Sequence, residues 1–304
     1  MKSVKKVVVL EGGFSNEREV SLDTAEAAAN ALKELGFHIC RIDVSRNQLA
    51  LLKELDKAKP DIIFNALHGK YGEDGCIQGL LDMIQIPYTG SGRSASMLSM
   101  NKPLAKKMFE EAKIPVANSS VCTYDDLVLA DPIARPFVIK PIDEGSSVGV
   151  RIIKTKQQNS TEHYNTMSKE KPVMVEKYIP GRELTVSVMG NAPLAITEIT
   201  TRSNFYDYSA KYKTGGSTHI IPADIPTDIY EAVLAAAVSA HKALGCRGIS
   251  RADFRLNKSK FFLLEINTQP GLTKTSLVPE QANYRGISFN DLIKWMVDKA
   301  ECDE

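Results

Sequence analysis

Residues 248–267, GISRADFRLNKSKFFLLEIN, contain two strand-like runs separated by a short polar turn at residues 257–259. Aliphatic and aromatic residues dominate both runs, which predicts an antiparallel hairpin. Side chains alternate between the two faces of a strand, so Glu265 and Asn267 lie on the same face. A turn near residue 259 then places Asp253 almost opposite Glu265. The hairpin therefore brings three oxygen-bearing side chains together.

The converging side chains of Asp253, Glu265 and Asn267 predict a site for a divalent cation. Two carboxylates packed together repel each other unless a cation neutralises them. Oxygen ligands suit Mg²⁺, which keeps several waters and commonly bridges to nucleotide phosphates. The alternative is a solvated polar strip on the open face of an antiparallel sheet, because short motifs also occur by chance.

A second polar cluster follows a predicted strand, where Lys140-Pro141 precedes the small-residue loop 144–149, EGSSVG. Glycine and serine let backbone N–H groups approach an anion closely, and Lys140 adds a positive charge suited to phosphate. The loop is not a Walker A motif, since no Gly-Lys-Ser/Thr ends it. The stretch 176–179, EKYI, has the pattern of a strand whose backbone could meet an adenine edge. Taken alone, each stretch also fits an ordinary turn or strand.

The first hundred residues alternate between strand and helix patterns. The apolar run Lys6–Leu10 is followed by a helical pattern from about Asn16 to Leu35, and Phe37–Val44 and Asp61–Leu67 predict two more strands. This order predicts an α/β fold with a parallel, helix-covered sheet. Ligands of such sheets gather at the carboxyl ends of the strands, where glycine-bearing turns follow Leu10 and Leu67.

Proline and glycine punctuation divides the chain into three predicted domains. Pro87 and the glycines after it predict an N-terminal α/β domain over residues 1–95. Residues 96–180 predict a small lobe with mixed helices and strands, and residues 181–304 predict a second lobe with antiparallel strands. The long polar and aromatic segment 202–218 predicts a loop that is either functional or disordered, since such long loops are uncommon inside compact lobes.

Composition narrows the range of functions. The 304 residues are 43% hydrophobic and 25% charged, with 38 basic and 37 acidic residues and a net charge of +1. No Lys/Arg-rich run indicates nucleic-acid binding, and no apolar run reaches the roughly 18 residues of a membrane span. The five cysteines are scattered and show no metal-ligand spacing, which fits a reducing compartment. We therefore expect a cytoplasmic protein with small-molecule partners.

Several longer motifs occur in one order along the chain: Gly12–Ser21 (GGFSNEREVS), His68–Gly75 (HGKYGEDG), Lys140–Gly149 (KPIDEGSSVG), Phe205–Tyr212 (FYDYSAKY), Arg251–Phe254 (RADF), Glu265–Gly271 (EINTQPG) and Ser276–Pro279 (SLVP). With these motifs the chain resembles the D-alanine–D-alanine ligases of the ATP-grasp superfamily, from the first strand to the last helix. Their joint occurrence is more specific than any single motif. The resemblance implies an ATP-grasp fold, in which an N-terminal preATP-grasp domain precedes two lobes that enclose ATP.

The resemblance also implies roles for particular residues. The nucleotide would be held at its phosphates by Lys102, Lys140 and Lys211, at adenine by Glu176, Lys177, Tyr178 and Ile179, and at ribose by Glu183. Two Mg²⁺ ions, replaceable by Mn²⁺, would be bound by Asp253, Glu265 and Asn267, in agreement with the hairpin argument. The first D-alanine would meet Glu17 and His68, the second Ser276 and the amide of Leu277. A lid-closing set would comprise Glu17, Ser146 and Tyr212.

The implied reaction joins two D-alanines for peptidoglycan synthesis. The first D-alanine carboxylate attacks the γ-phosphate of ATP, because a free carboxylate is a poor acyl donor. Its acyl phosphate is then attacked by the second amine, and Arg251 with the amide of Gly271 would stabilise the oxyanion. Segment 202–218 would act as a lid that excludes water. A homodimer is implied by the resemblance alone.

Other interpretations stand beside these roles. Glu17 alone could be a helix-dipole acid, His68 a turn residue, Arg251 a surface ion-pair partner and Tyr212 a packing aromatic. Ala252, Arg255 and Lys274 depart from the usual family pattern. The competing functions are a D-alanyl-D-lactate or D-alanyl-D-serine ligase, which Tyr212 disfavours, a glutathione-synthetase-like ligase, and a non-catalytic ATP-binding module.

Overall fold

The computed structural model describes residues 5–145, 149–155, 171–201, 216–273 and 275–303. These residues form one three-stranded sheet, one four-stranded sheet and one five-stranded sheet. The predicted site residues Ser146, Lys211 and Tyr212, most of segment 202–218 and Lys274 lie outside the described residues. None of the described helices is long and apolar enough to span a membrane.

The N-terminal part forms the predicted parallel sheet, with β1 (Lys6–Gly12), α1 (Arg18–Glu34), β2 (His38–Val44), α2 (Gln48–Ala58), β3 (Ile62–Asn65) and α3 (Cys76–Met83). Strand β1 lies between β2 and β3 and is parallel to both. Val7 and Val9 pack against α1, whereas Val8 and Leu10 pack against α2 and α3. Burial on both faces explains why β1 reads as an unbroken apolar run.

The loops after β1 and β3 are fastened to each other, which fixes the edge of the sheet where ligands are expected. The Ser15 hydroxyl donates to the His68 carbonyl at 2.7 Å. Within the second loop, the Asn65 side-chain amide donates to the Gly72 carbonyl at 3.0 Å, and the Gln78 amide donates to the same oxygen at 3.0 Å. Both predicted substrate residues, Glu17 and His68, lie in the loops at this edge.

Two helices then lead to a small antiparallel sheet: α4 (Arg93–Met100), α5 (Lys102–Glu111), β4 (Ser119–Cys122), α6 (Tyr124–Leu129), β5 (Phe137–Pro141), β6 (Arg151–Ile153) and β7 (Val173–Lys177). The strand order is β4-β7-β5-β6. Phe137, Ile139 and Val175 pack into a core on one face. Lys140 and Glu176, which are offset from them along β5 and β7, therefore lie on the opposite face.

The C-terminal part holds the five-stranded sheet in the order β10-β9-β8-β11-β12. Its elements are β8 (Arg182–Met189), β9 (Ala192–Thr201), β10 (Ser217–Ile220), α7 (Thr227–Ala243), β11 (Ile249–Asn257), β12 (Lys260–Asn267), α8 (Leu277–Tyr284) and α9 (Phe289–Asp298). Helices α5 and α7 share an apolar core with this sheet. Helices α8 and α9 share another core with α1 and β1, which joins the N-terminal sheet to the C-terminal part.

The predicted hairpin is confirmed as β11 and β12, and Asp253 pairs directly with Glu265. One detail differs from plain alternation, because the next pair is Phe254 with Leu263 and leaves Leu264 as an extra residue. This β-bulge lets Leu263 and Ile266 both enter the apolar core. Leu264 and Glu265 line a cavity on the other side of the strand.

A second irregularity in the sheet is filled by the buried side chain of Gln281 in α8. The register between β8 and β9 shifts at Val186/Val188, and the Ser187 amide donates to Gln281 Oε1 at 2.8 Å. The Gln281 side-chain amide donates to the Thr185 carbonyl at 3.2 Å and to Thr197 Oγ1 at 3.1 Å. These bonds hold α8, and therefore its N-terminus, in place over the sheet.

Candidate active site

Three adjoining cavities lie where the three sheets meet. The central cavity is lined by residues that include His68, Arg251, Asn267, Gly271 and Ser276. The strand cavity is lined by residues that include Val138, Ile152, Glu176, Tyr178 and Leu264. The outer cavity is lined by residues that include Phe14, Ser15, Glu17, Arg46 and Tyr71. The cavities have shared walls, since Lys102 and Glu265 line the central and strand cavities, and Glu144 and Gly145 line all three.

Every predicted site residue that the structure describes lines one of these cavities. The strand cavity holds the residues expected around a nucleotide, together with two of the expected metal ligands: Lys102, Lys140, Glu176, Lys177, Tyr178, Ile179, Glu183, Asp253 and Glu265. The central cavity holds the residues expected around the reacting groups: His68, Lys102, Arg251, Glu265, Asn267, Gly271, Ser276 and Leu277. Glu17 lines the outer cavity.

Glu176 is the charged centre of the strand cavity. Its side chain is 2% exposed and forms ion pairs with Lys106 and with Lys140, the latter at 2.5 Å. Burial raises the pKa of the Glu176 carboxyl, but the charges and hydrogen bonds of Lys140 and Lys106 outweigh burial and lower the pKa overall. The cavity therefore contains an ionised carboxylate between two apolar walls, which suits one polar edge of a flat heterocycle.

The segment after β7 is held by Arg255. Its guanidinium donates to the carbonyls of Ile179 at 3.2 Å and Gly181 at 2.8 Å, and to Glu183 Oε2 at 3.1 Å. Arg255 is one of the departures from the family pattern. Its contacts explain the departure, because it orients both Glu183 and the backbone that Ile179 presents to the strand cavity.

The expected metal ligands share one side of the hairpin, but Asp253 is engaged by other side chains. Arg251 donates to both Asp253 oxygens at 2.9 and 2.7 Å, and Thr185 donates to Oδ1 at 2.6 Å. No cluster of three or more His, Cys, Asp or Glu side chains suited to a metal occurs in the described ranges. Two carboxylates and the Asn267 amide oxygen nevertheless fit Mg²⁺, which commonly takes few protein ligands beside water and phosphate.

The far end of the central cavity is built around the N-terminus of α8. The Ser276 hydroxyl accepts a hydrogen bond from the Thr273 amide at 3.0 Å, and Leu277 begins the helix. Free amides at a helix N-terminus attract anions such as carboxylates. A Cβ at Gly271 would lie 3.1 Å from Ser276 Oγ, so glycine keeps this end of the cavity open.

The end of the site nearest the N-terminal sheet contains two buried glutamates, Glu17 and Glu73, which are both 8% exposed. A Cβ at Gly145 would lie 3.2 Å from Glu17 Oε2 and 3.6 Å from Glu73 Oε1, so both carboxylates reach the same loop. Burial, and next the charge of Glu17, raise the pKa of Glu73 well above its ordinary 4.5. Within the described part of the chain, Glu73 Oε2 has no hydrogen-bond partner.

His68 is buried beside these glutamates, and its Nε2 lies 3.2 Å from Thr24 Oγ1. Burial lowers the pKa of the imidazole to about 4. His68 is therefore neutral near pH 7 and can serve as a hydrogen-bonding group, but not as a fixed positive charge.

The sequence reasoning missed Glu73, Lys106 and the role of Gln281. Glu73 stands inside the quoted motif HGKYGEDG, and its position between a glycine and Asp74 was the available signal. Lys106 and Gln281 carry no such signal, since each resembles an ordinary polar residue of a helix. Their partners come from distant strands.

Known proteins resemble this chain over almost its whole length. Two family models match the chain: "D-ala D-ala ligase C-terminus" over residues 108–298 and "D-ala D-ala ligase N-terminus" over residues 45–91. The D-alanine–D-alanine ligases of Rhodospirillum rubrum and Paramagnetospirillum magneticum are each 50% identical to the chain, over 98% of it and 99% of the relative.

Solved structures show the same similarity. The D-alanine–D-alanine ligase from Bacillus anthracis aligns with a TM-score of 0.84 and 31% identity, over 97% of both chains. The structure of that enzyme complexed with ATP aligns with a TM-score of 0.83 and 28% identity, again over 97% of both chains. The fold is the ATP-grasp fold, and the class of protein is an ATP-dependent ligase. The chain belongs to the D-alanine–D-alanine ligase family.

Proposed function

We propose that the chain joins two D-alanines into D-alanyl-D-alanine at the expense of ATP, as a step in peptidoglycan precursor synthesis. The observation that carries this proposal is the shared wall of the strand and central cavities. Lys102, Glu144, Gly145 and Glu265 line both, so a nucleotide in the first would direct its terminal phosphate into the second. A ligase of this type needs that connection, because the phosphoryl group must reach the acyl donor.

ATP is proposed to occupy the strand cavity. Adenine would lie between Val138, Ile152 and Leu264, with Glu176 and the backbone of residues 177–179 at its polar edge. Glu183, oriented by Arg255, would meet the ribose hydroxyls. Lys102 and Lys140 would neutralise the phosphates, and Lys211, outside the described residues, is proposed to join them.

Mg²⁺ is proposed to be held by Asp253, Glu265 and Asn267. A bound cation would neutralise charge on the transferring phosphoryl group. Arg251 forms an ion pair with Asp253 in the present structure. We propose that Arg251 releases Asp253 when the site fills, and that its guanidinium then turns to the reacting carbonyl group.

The two amino acids are proposed to bind on opposite sides of the central cavity, the first where it adjoins the outer cavity that Glu17 lines. Glu17 would bind the ammonium of the first D-alanine, with neutral His68 beside it. A carboxylate oxygen of that D-alanine attacks the γ-phosphorus of ATP, and ADP leaves. The amine of the second D-alanine, held by Ser276 and the α8 N-terminus, then attacks the acyl carbon. Arg251 and the Gly271 amide would stabilise the oxyanion, after which phosphate leaves and the amine loses a proton.

The lid and the cellular setting belong to the same proposal. Segment 202–218 would cover the site, with Ser146 and Tyr212 closing onto Glu17 and favouring an amine over a hydroxyl acceptor. The free cysteines suit a reducing compartment, and we place the protein in the cytoplasm as a homodimer. The three domains at residues 1–95, 96–180 and 181–304 remain a prediction.

The test is phosphate release from ATP in the presence of Mg²⁺. We expect release that depends on D-alanine and yields D-alanyl-D-alanine, with no release for L-alanine. Glu265→Gln should lower turnover by about a hundredfold or more, because one anionic ligand is lost. ATP hydrolysis that is indifferent to D-alanine would contradict the proposal.

A further inference from the structure

Two lysines approach the Glu176 carboxylate from opposite sides. Lys106, on α5, bonds to Oε1, and Lys140, on β5, bonds to Oε2 at 2.5 Å. All three residues are buried, with Lys106 6%, Lys140 9% and Glu176 2% exposed. Lys140 and Glu176 line the strand cavity, whereas Lys106 does not. Lys106 therefore holds the carboxylate from behind, and Lys140 holds it from inside the cavity.

In this arrangement each carboxylate oxygen of Glu176 accepts a hydrogen bond from a lysine. A carboxylate oxygen can accept two hydrogen bonds, but one that already accepts from a lysine at 2.5 Å shares its charge with that lysine and accepts less strongly from the amino group of a base. Only the bond to Lys140 is exposed to an incoming ligand, since Lys106 lies outside the cavity wall. A base that donates to Glu176 therefore competes with Lys140 for Oε2 and leaves Lys106 on Oε1.

Without Lys106, displacement of Lys140 would leave the Glu176 carboxylate with no cationic partner. A buried carboxylate with no cation is strongly disfavoured and takes up a proton instead. A protonated Glu176 would carry an O–H donor beside its carbonyl acceptor, so it could bond to a base oxygen as well as to an amino group and would discriminate poorly between them. Burial lowers the pKa of Lys106, and the charge of Glu176 opposes that shift, so the two groups support each other's ionised state.

We propose that Lys106 is a positioning residue for base recognition: it anchors Glu176 so that the other carboxylate oxygen can exchange Lys140 for the 6-amino group of adenine. The exchange frees Lys140 to move to the phosphates, which couples recognition of the base to neutralisation of the triphosphate. This inference rests on the proposed use of ATP and assigns a specificity role to a residue outside the cavity wall.

The test compares ATP with ITP, whose base carries an oxygen in place of the 6-amino group. Both are assayed by D-alanine-dependent phosphate release from the full-length enzyme, and kcat and KM are determined for each nucleotide. We expect Lys106→Met to reduce the ATP-over-ITP preference in kcat/KM by about tenfold, mainly through KM for ATP. Lys106→Arg, which keeps the charge, should restore most of the preference.

Lys107 offers a matched control, because it is the next residue of α5 and is exposed. Lys107→Met should leave the ATP-over-ITP preference unchanged. An equal loss for both nucleotides in Lys106→Met would overturn the inference, since a purely structural defect would not discriminate between bases. Wild-type enzyme that shows no D-alanine-dependent phosphate release would instead refute the proposed function.

A second variant covers the case in which Lys106→Met does not fold. Lys106→Met/Glu176→Gln removes both charges and is compared with Glu176→Gln, because both variants leave Lys140 without its counterion and Glu176→Gln leaves Lys106 without one as well. If Lys106 acts through Glu176, the double variant shows the same nucleotide preference as Glu176→Gln. Any further loss of preference in the double variant contradicts the inference.

Discussion

Two buried glutamates, Glu176 in the strand cavity and Glu73 in the central cavity, respond to burial in opposite ways. They are 2% and 8% exposed, so each loses most of its contact with water. The pKa of Glu176 is lowered, and that of Glu73 is raised well above 4.5. The difference lies in their neighbours: Glu176 has two lysines, whereas the nearest strong influence on Glu73 is the Glu17 carboxylate.

From this contrast we infer that the two ends of the proposed site suit different ligands. In the strand cavity Glu176 already has two cationic partners before any ligand arrives, so a ligand that donates to it competes with Lys140. At the end of the site that holds Glu17 and Glu73, a cation would reduce the electrostatic repulsion between the two carboxyl groups. The ammonium of the proposed first D-alanine is such a cation.

The largest expected effect comes from removing the charge of Glu176. We expect Glu176→Gln to lower the free energy of unfolding by about 3–5 kcal/mol, because two buried lysines lose their shared counterion. Glu73→Gln should change it by less than about 1 kcal/mol at pH 7, since it removes a charge that burial already disfavours. Urea unfolding measures both, with the exposed Glu111→Gln as control. Equal losses for the two variants would remove the contrast.

The second prediction concerns the affinity of the Glu73 end for amino acid. We expect Glu73→Gln to raise KM for the first D-alanine by roughly 10- to 100-fold, the range for a lost hydrogen bond to a charged group. KM for the second D-alanine should change little, because Ser276 and α8 are proposed to bind it at the other end. Glu19→Gln is the control, as Glu19 is exposed on the same helix that begins after Glu17. Similar rises in both KM values would argue for general damage to the site.

Gln281 is a neutral buried side chain, and we expect its contribution to the free energy of unfolding to lie between those of Glu176 and Glu73. Gln281→Leu leaves the Ser187 amide without its acceptor and should cost about 1–3 kcal/mol of unfolding free energy. The loss should exceed that of Tyr284→Leu, an exposed position on the same helix. A cost near zero would show that the β8 irregularity does not need Gln281.

The sequence predicted the hairpin and its register because both follow from local rules. Alternation and a short turn are enough to oppose Asp253 and Glu265, as the structure confirms. The bulge at Leu264 could not be predicted in this way, since an extra residue in one strand depends on how Leu263 and Ile266 pack against helices elsewhere. The parallel sheet was predictable for a similar reason, because burial on both faces makes β1 apolar throughout.

Residues whose roles depend on distant partners escaped prediction. Lys106 and Lys107 are adjacent and chemically identical, yet one is buried and the other exposed. What separates them is Glu176, which lies 70 residues away in sequence. Gln281 likewise meets an irregularity in strands 94 and 84 residues before it. Helix periodicity places such residues on a face, but only the assembled sheets determine what that face meets.

The smallest predicted effect is the pH dependence of the free energy of unfolding, which tests the contrast between Glu73 and Glu176 most directly. Glu73 has a raised pKa in the folded protein, so its contribution to stability is complete below about 4.5 and is lost as pH rises through the folded value. Glu176 has a lowered pKa, so its contribution is complete above about 4.5 and is lost as pH falls through the folded value. The difference in unfolding free energy between wild type and each Gln variant should therefore change with pH in opposite directions.

Each slope can reach at most about 1.4 kcal/mol per pH unit for one proton. Urea unfolding of wild type, Glu73→Gln and Glu176→Gln at matched ionic strength would resolve the two slopes. D-alanine and ATP must be absent, because a bound ligand would add charges beside these carboxyl groups. The charged neighbours in the protein itself are Glu17, Asp74 and Arg251 for Glu73, and Lys106 and Lys140 for Glu176. Slopes of the same sign would mean that burial alone controls both carboxyl groups and that their charged neighbours do not set the difference between the two ends of the site.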